Sequence, residues 1–327
     1  MSCTLEIARN LYILGFFLSQ VCYNRVLRRF MKTVKKAIIT DAGFASRYLP
    51  ITKTLPKAMV PIGAKPAMQL SVEECVAAGI EEIIIVATPG TMAREIYDNY
   101  FHDKAENVQA LLNKQGKAER FEPVKEVLEF PKITVIEQDA SLPYGNGSPI
   151  VSAKEYVKDE DAFVVLYSDD LIFGKSDVQT LIETYEQNPE AKAVIAAQEM
   201  PEEVWHKYGM IALKENGTLS HIVEKPETPD KSPSNLTSYG RYLLTPEVFD
   251  YLIPSNTGLD GELWTVDAIT KLAESGDVLV AKSEGKWMTT GDPKNYFMTL
   301  LEYVLDSTDY GNEVLEMCYN KAKEKNL

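Results

Sequence analysis

The chain has 327 residues, 45% hydrophobic and 25% charged, the balance of an ordinary globular protein large enough for one big α/β domain or two smaller ones. Its 48 acidic and 34 basic residues leave a net charge of −14, which argues against a nucleic-acid surface yet allows a local cationic turn to hold a small anion. The scattered cysteines (Cys3, Cys22, Cys75, Cys318) and isolated histidines (His102, His206, His221) argue against structural zinc and a hydrolytic triad, and fit a reduced, cytoplasmic protein.

The first segment in chain order, Leu11 to Lys32, carries an apolar stretch of about a dozen residues, short of the ~20 that a membrane helix needs. Its basic residues follow the apolar stretch instead of preceding it, so it does not read as a signal peptide. Residues 1–30 are therefore expected to be a non-essential extension upstream of a start at Met31; the alternative is an amphipathic interfacial or partner-docking helix.

From Lys35 onward, short apolar runs alternate with helical patterns. KKAIIT (35–40), EEIIIVAT (81–88), KITVIEQ (132–138), AFVVLYSDD (162–170) and AKAVIAAQE (191–199) predict strands covered on both faces, because they are continuous and not alternating. Residues 67–80 have helical spacing with Gly79 as the C-cap, and residues 176–189 predict a helix starting at Ser176 and stopping at Pro189. Asp103 to Lys132 reads as an inserted surface helix and loop. This alternation implies a mostly parallel sheet with right-handed crossovers. Beyond Pro201, residues 208–226 predict a hairpin around Asn216-Gly217. LTSYGRYLL (236–244) predicts a further strand and TPEVFDYL a capped helix with Pro246 at its first position. With no linker composition, residues 31–327 read as one domain with a β-rich second half.

A parallel sheet places its ligand at the carboxyl ends of its strands, and three such ends carry polar clusters. The first is DAGFASRYLPITKTLPKAMVP (41–61). Here Gly43 permits close approach, Ser46 adds a hydroxyl, Arg47 a guanidinium fork, and Lys53 and Lys57 ammonium groups. Lys57 sits between Pro56 and Ala58 and is expected on an extended loop. A triphosphate is one natural occupant; a basic surface loop is the other reading. The second is YSDD (167–170), where paired carboxylates suit Mg²⁺ held with substrate phosphates or, alternatively, a helix cap. The third is VEKP (223–226). Glu224 and Lys225 are expected on opposite faces of the strand and unpaired with each other; a solvated hairpin end is the plainer alternative.

Taken together, GFASRYLPITKTLPKAMVPI, SDD, YG (208–209), VEKP, PSNLTSYGRYLL (233–244) and GELWTVDAI (261–269) resemble, in order, the motifs of the sugar-phosphate nucleotidyltransferases. Within that family the run is most similar to the bacterial UTP–glucose-1-phosphate uridylyltransferases, from Val34 to Val304. The resemblance implies a Rossmann-like nucleotide-diphospho-sugar transferase fold and a homo-oligomer with no nucleic-acid or membrane partner. It implies transfer of a uridylyl group to glucose 1-phosphate with Mg²⁺. It also implies roles residue by residue. Arg47 and Lys57, with Gly43 and Ser46, would hold the triphosphate. Gln138 would read the base, with Gly145 and Gly147 close by. Asp169 would bind the metal. Gly209, Glu224 and Tyr242 would contact the sugar, and Lys225 its phosphate.

Several positions depart from the pattern. Ala45 replaces a glycine, Ser46 a threonine and Ser148 a histidine, and the loop after Gln138 is longer. In KWMTTGDPKNY (286–296) the second metal-binding aspartate is Thr289, which brings no charge, and Asp292 lies on a different turn. Two alternatives therefore stand beside the main reading: the same chemistry with another base or sugar, or a nucleotide-sugar-binding regulator with weakened turnover.

Overall fold

A computed structural model describes residues 33–258 and 261–325; the expected extension over residues 1–30 lies outside the described residues. The described residues begin with β1 (Lys36–Asp41) and three single 3-10 turns (Ser46–Tyr48, Ile51–Lys53, Lys57–Met59), then the ribbon β2 (Pro61–Ile62) and β3 (Lys65–Pro66). Helix α1 (Ala67–Ala77) leads to β4 (Glu82–Ala87), followed by α2 (Ala93–His102), α3 (Glu106–Lys114), α4 (Glu122–Leu128) and β5 (Lys132–Glu137). Two short helices, α5 (Ser148–Ser152) and α6 (Lys154–Val157), precede β6 (Phe163–Tyr167), β7 (Asp170–Phe173), α7 (Asp177–Gln187) and β8 (Ala193–Glu199). The second half runs β9 (Gly209–Leu213), β10 (Leu219–Glu224), β11 (Leu236–Leu244), α8 (Thr265–Ser275), β12 (Val278–Lys282), β13 (Lys286–Thr289), α9 (Pro293–Ser307) and α10 (Gly311–Glu324).

The main sheet runs β12-β8-β11-β6-β1-β4-β5, and β9 and β10 continue it from the first half of β11. Neighbours β1, β4, β5 and β6 are parallel, as are β8 and β12, whereas β11 is antiparallel to both β6 and β8. The sheet is thus mixed but mostly parallel. Its strands are apolar throughout because helices cover both faces. Met68, Tyr97 and Leu181 pack from α1, α2 and α7 on one side, and Ile150, Ile269 and Leu272 from α5 and α8 on the other. Each such side chain, once buried, contributes roughly 1.5–3 kcal/mol.

Local signals placed the element ends well. Gly79 has φ +86 and donates to the Val76 carbonyl while Ile80 donates to that of Cys75, a Schellman stop for α1. The Ser176 hydroxyl accepts from the Gln179 amide at the start of α7. Three expectations need correction. AFVVLYSDD is not one strand: β6 ends at Tyr167, and the chain turns at Ser168-Asp169 before β7 pairs with β13. TPEVFDYL forms a 3-10 turn (Pro246–Asp250), since the Thr245 hydroxyl donates to the Lys192 carbonyl instead of capping a helix. The Asp103–Lys132 segment holds two short helices, not one.

Candidate active site

At the carboxyl ends of β1 and β6 lies a cleft of about 560 Å³, where an open parallel sheet binds ligands. The polar wall is the turn from Tyr167 to Asp170. Arg241 of β11, fully buried, donates to the carbonyls of Tyr167, Gly240 and Asp170 and twice to the Glu74 carboxylate (3.1 and 3.3 Å). The other Glu74 oxygen accepts from the Asp177 and Val178 amides, both at 3.1 Å, so one carboxylate both caps α7 and neutralises the arginine. Asp170 is spoken for: its oxygens accept from Trp287 Nε1 at 2.8 Å and the Gly240 amide at 2.9 Å. Burial, then the charge of Asp169, pushes its carboxyl up to about 6.

Asp169 faces the cleft. Its Oδ2 lies 2.6 Å from Lys57 Nζ. Burial opposes ionisation of Asp169, but the Lys57 ammonium outweighs it and holds the carboxyl below its ordinary value. Burial likewise works against the charge on Lys57, yet Asp169 and then Asp41 raise it. Asp41, at the end of β1, accepts from Ser168 Oγ at 2.8 Å and from the Tyr97 hydroxyl, and burial raises its carboxyl.

The opposite wall is the exposed loop 43–57. Nothing lies within 4 Å of where a Cβ on Gly43 would sit, so the backbone faces open space. Arg47 donates to the Gly291 carbonyl at 3.3 Å and Tyr48 to that of Thr290 at 2.6 Å, which ties this loop to the turn between β13 and α9.

Arg47, Lys57, Gly43, Gln138, Gly145, Asp169, Gly209, Glu224, Lys225 and Tyr242 all line the one cleft. Ser46 does not: it is exposed at the start of a 3-10 turn, and Lys53 faces a separate recess of about 40 Å³. Gly147 is also absent from the lining; a Cβ there would meet Leu252 and Leu263, and one on Gly145 would lie 2.4 Å from the Leu263 carbonyl oxygen. Both glycines thus answer to packing against Leu263. Lys57 stands on a 3-10 turn instead of an extended loop. Neither Asp169 nor Asp170 caps a helix; it is Asp292 that does, accepting from the Lys294 and Asn295 amides.

One expectation about backbone is overturned. Lys225 has φ +47, so the chain leaves the strand geometry and its Nζ comes to 3.4 Å from Glu224 Oε1, the pairing that alternation forbade. Ala45, which stands where the family pattern has glycine, sits in the left-handed region that an alanine ordinarily avoids (φ 45, ψ 46), at a cost of roughly 1–2 kcal/mol.

Among the described residues no group of three or more acidic, histidine or cysteine side chains is placed to hold a metal ion. A cation here would rely on Asp169 and on oxygens of its ligand. Thr289 Oγ1 stands close to Asp169, since it and Asp169 Oδ2 both flank Gly291, within 3.3 and 3.5 Å of a Cβ built there. Sequence reasoning missed Asp41, Glu74, Gly240 and Arg241. Asp41, Gly240 and Arg241 had a signal, lying inside quoted motifs, whereas Glu74 lay within a helical pattern. Among the described residues no helix is long and apolar enough to cross a membrane.

Comparison with known proteins places this geometry. The nucleotidyl transferase family matches residues 36–304. UTP–glucose-1-phosphate uridylyltransferase 2 of Staphylococcus saprophyticus is 38% identical over 291 residues, covering 88% of this chain and 97% of that protein. The Bacillus subtilis UTP–glucose-1-phosphate uridylyltransferase is 37% identical over 289 residues, 87% of this chain and 96% of that one. Among solved structures, UTP-bound UDP-glucose pyrophosphorylase from Acinetobacter baumannii aligns with a TM-score of 0.78 at 29% identity, covering 88% of this chain and 99% of that one. A UDP-glucose pyrophosphorylase complexed with UDP-glucose aligns at 0.70 and 28% identity, over 83% and 98%. Matched from β1 into α9, and aligned with its relatives over nearly their whole length, the chain belongs to the nucleotidyl transferase family.

Proposed function

We propose that this protein transfers a uridylyl group from UTP to glucose 1-phosphate, forming UDP-glucose and pyrophosphate. The observation that carries this reading is one cleft joining the Arg47–Lys57 loop to the Glu224 sheet end. It does so in a chain 38% identical to a UTP–glucose-1-phosphate uridylyltransferase. An oxygen of the sugar phosphate forms a bond to the α-phosphorus, and the α–β bridging P–O bond breaks with its electron pair leaving on pyrophosphate. Such a step asks for positioning and charge neutralisation more than for acid–base chemistry.

Arg47 and Lys57 neutralise the triphosphate, with the Gly43 backbone close to it and Ser46 confined to the rim. Lys57 then exchanges Asp169 for phosphate oxygens. Gln138 and Gly145 meet the base. Gly209, Glu224 and Tyr242 meet the sugar, and Lys225 its phosphate. The site fits Mg²⁺, which takes one or two carboxylates plus substrate phosphates; Asp169 would hold it with the Thr289 hydroxyl at hand. When bound, it neutralises phosphate charge and polarises the phosphoryl group. Residues 31–327 act as one transferase domain in the cytoplasm, as the scattered cysteines suggest. Exposed Phe297, Met298, Leu315 and Met317 on α9 and α10 support a homo-oligomer.

The test is pyrophosphate release by the purified protein across four nucleotides and several sugar 1-phosphates. Release with UTP and glucose 1-phosphate well above other pairs is the expected result. Preference for another pair would replace the donor or the sugar, and no release with any pair would leave a nucleotide-sugar-binding regulator, the reading Thr289 motivates.

A further inference from the structure

Glu262, Trp264 and Val266 of the GELWTVDAI segment line the same cleft. Trp264 is extended (φ −98, ψ 130) just before α8, and its neighbours Leu263 and Thr265 are 1% and 0% exposed. Side chains alternate along an extended chain, so two buried neighbours leave the indole on the cleft side. The backbone here is fixed by the loop that carries Gly145. The Leu263 amide donates to the Tyr144 carbonyl at 2.7 Å, and the Leu263 carbonyl accepts from the Gly147 amide at 2.8 Å. Asn146 Oδ1 accepts from the Thr265 amide and hydroxyl at 2.8 and 3.0 Å.

The indole held in this way meets Lys225. The lysine Nζ lies 5.6 Å from the ring centroid, within cation–π range. Its other support is Glu224 Oε1 at 3.4 Å. The two supports differ once a sugar phosphate arrives. The carboxylate cancels the lysine's charge, and it lets go when sugar hydroxyls engage it. A ring face attracts the ammonium without bringing a formal charge, so the cation keeps its attraction for phosphate. The Lys225 side chain is 55% exposed; unsupported, it would sample many rotamers, and ordering it would weaken binding.

We propose that Trp264 is a positioning residue for the transfer, its ring holding the Lys225 ammonium where the sugar phosphate binds. This rests on the reading of Lys225 as the lysine of that phosphate. The experiment is a double-mutant cycle. Trp264→Leu, Trp264→Phe and Lys225→Ala are made singly and combined. Each is read as kcat/KM for glucose 1-phosphate from pyrophosphate release, with the Kd for UTP from calorimetry. Trp264→Leu is expected to lower kcat/KM about 2- to 5-fold with UTP affinity unchanged. Trp264→Phe, which keeps a ring face, should recover part of that loss. In the Lys225→Ala background neither substitution should have an effect, because the cation it acts through is gone. An indole that merely packs the segment would cost the same in both backgrounds. Equal losses in both backgrounds, an equal loss of UTP affinity, or a Phe variant no better than Leu overturns the proposal. A Lys225→Ala protein as active as wild type overturns it too, together with the assignment of that lysine. Wild-type preference for another sugar 1-phosphate overturns the glucose assignment alone, and the cycle is then read with that substrate. If wild type releases no pyrophosphate with any pair, the transfer itself falls and the same pattern is expected in the Kd for UDP-glucose. Failure of wild type to bind any nucleotide sugar overturns both.

Discussion

The two walls of the cleft are built differently. On the wall from Tyr167 to Asp170, Arg241 grips the carbonyls on either side of Asp169, and Trp287 and Gly240 occupy Asp170. The facing loop, 43–57, exposes Phe44, Leu49 and Ile51, at 61%, 59% and 54%, and meets the body through single bonds from Arg47 and Tyr48, one from Thr88 to the Gly43 carbonyl, and the Lys57–Asp169 pair at its end. The first wall is pre-organised by buried charge and the second can adjust, so the carboxylate is held before a ligand arrives while the cationic groups can follow it. Preorganisation matters where charge must be met without rearrangement. A loop that carries an arginine and lysines must also release its product.

Five substitutions break or sharpen that contrast. Arg241→Met removes one partner of a buried ion pair and is expected to cost about 3–5 kcal/mol in denaturant unfolding; a loss below ~1 kcal/mol would show that the polar wall does not depend on it. Asp169→Asn should lower kcat at least about 100-fold without changing stability as much, measured as pyrophosphate release. An active Asp169→Asn protein would move the metal elsewhere. Lys225→Ala should reduce kcat/KM for glucose 1-phosphate by about 100-fold while the Kd for UTP stays within about two-fold. Equal loss for UTP would mean that this lysine serves the nucleotide side of the cleft.

Thr289→Asp adds a carboxylate beside Asp169 and should lower the Mg²⁺ concentration for half-maximal turnover by about 3- to 10-fold. It should also slightly destabilise the metal-free protein through like-charge repulsion. An unchanged Mg²⁺ response would separate Thr289 from the metal. The smallest effect belongs to the adjustable wall. Ala45→Gly relieves the left-handed strain at φ 45 and should gain about 0.5–1 kcal/mol, after the extra flexibility of glycine in the unfolded chain is subtracted. A loss of stability would mean that Ala45 contributes contacts that outweigh its strain.

Most of the fold was legible. β1, β4, β5, β8 and β11 fall within two residues of the apolar runs that predict them, because strands covered on both faces have no polar alternation to confuse the reading. The helix stops at Gly79 and starts at Ser176 were legible for the same local reason. The site was legible as a set of motifs at strand ends, and of the twelve expected residues all but Ser46 and Gly147 line one cleft. Ser46 stands outside the lining, exposed on the 3-10 turn that follows a left-handed Ala45, and that φ is invisible in an alanine. The expectation that Lys225 and Glu224 stay unpaired failed likewise, since a positive φ at a lysine overrides strand alternation.

What the sequence by itself determined is what depends on near neighbours: which runs are strands, where helices are capped, and which chemical groups stand at the strand ends. Those properties follow from spacing and from the conformations each residue tolerates over a few bonds. The tertiary structure alone decided which groups meet. Lys57 and Asp169 are 112 residues apart, and Glu74 and Arg241 are 167 apart. Their meeting depends on the order and register of β1, β6 and β11, which is settled by how the whole sheet buries its two faces. A charge is matched to its partner only once that packing has removed both from water.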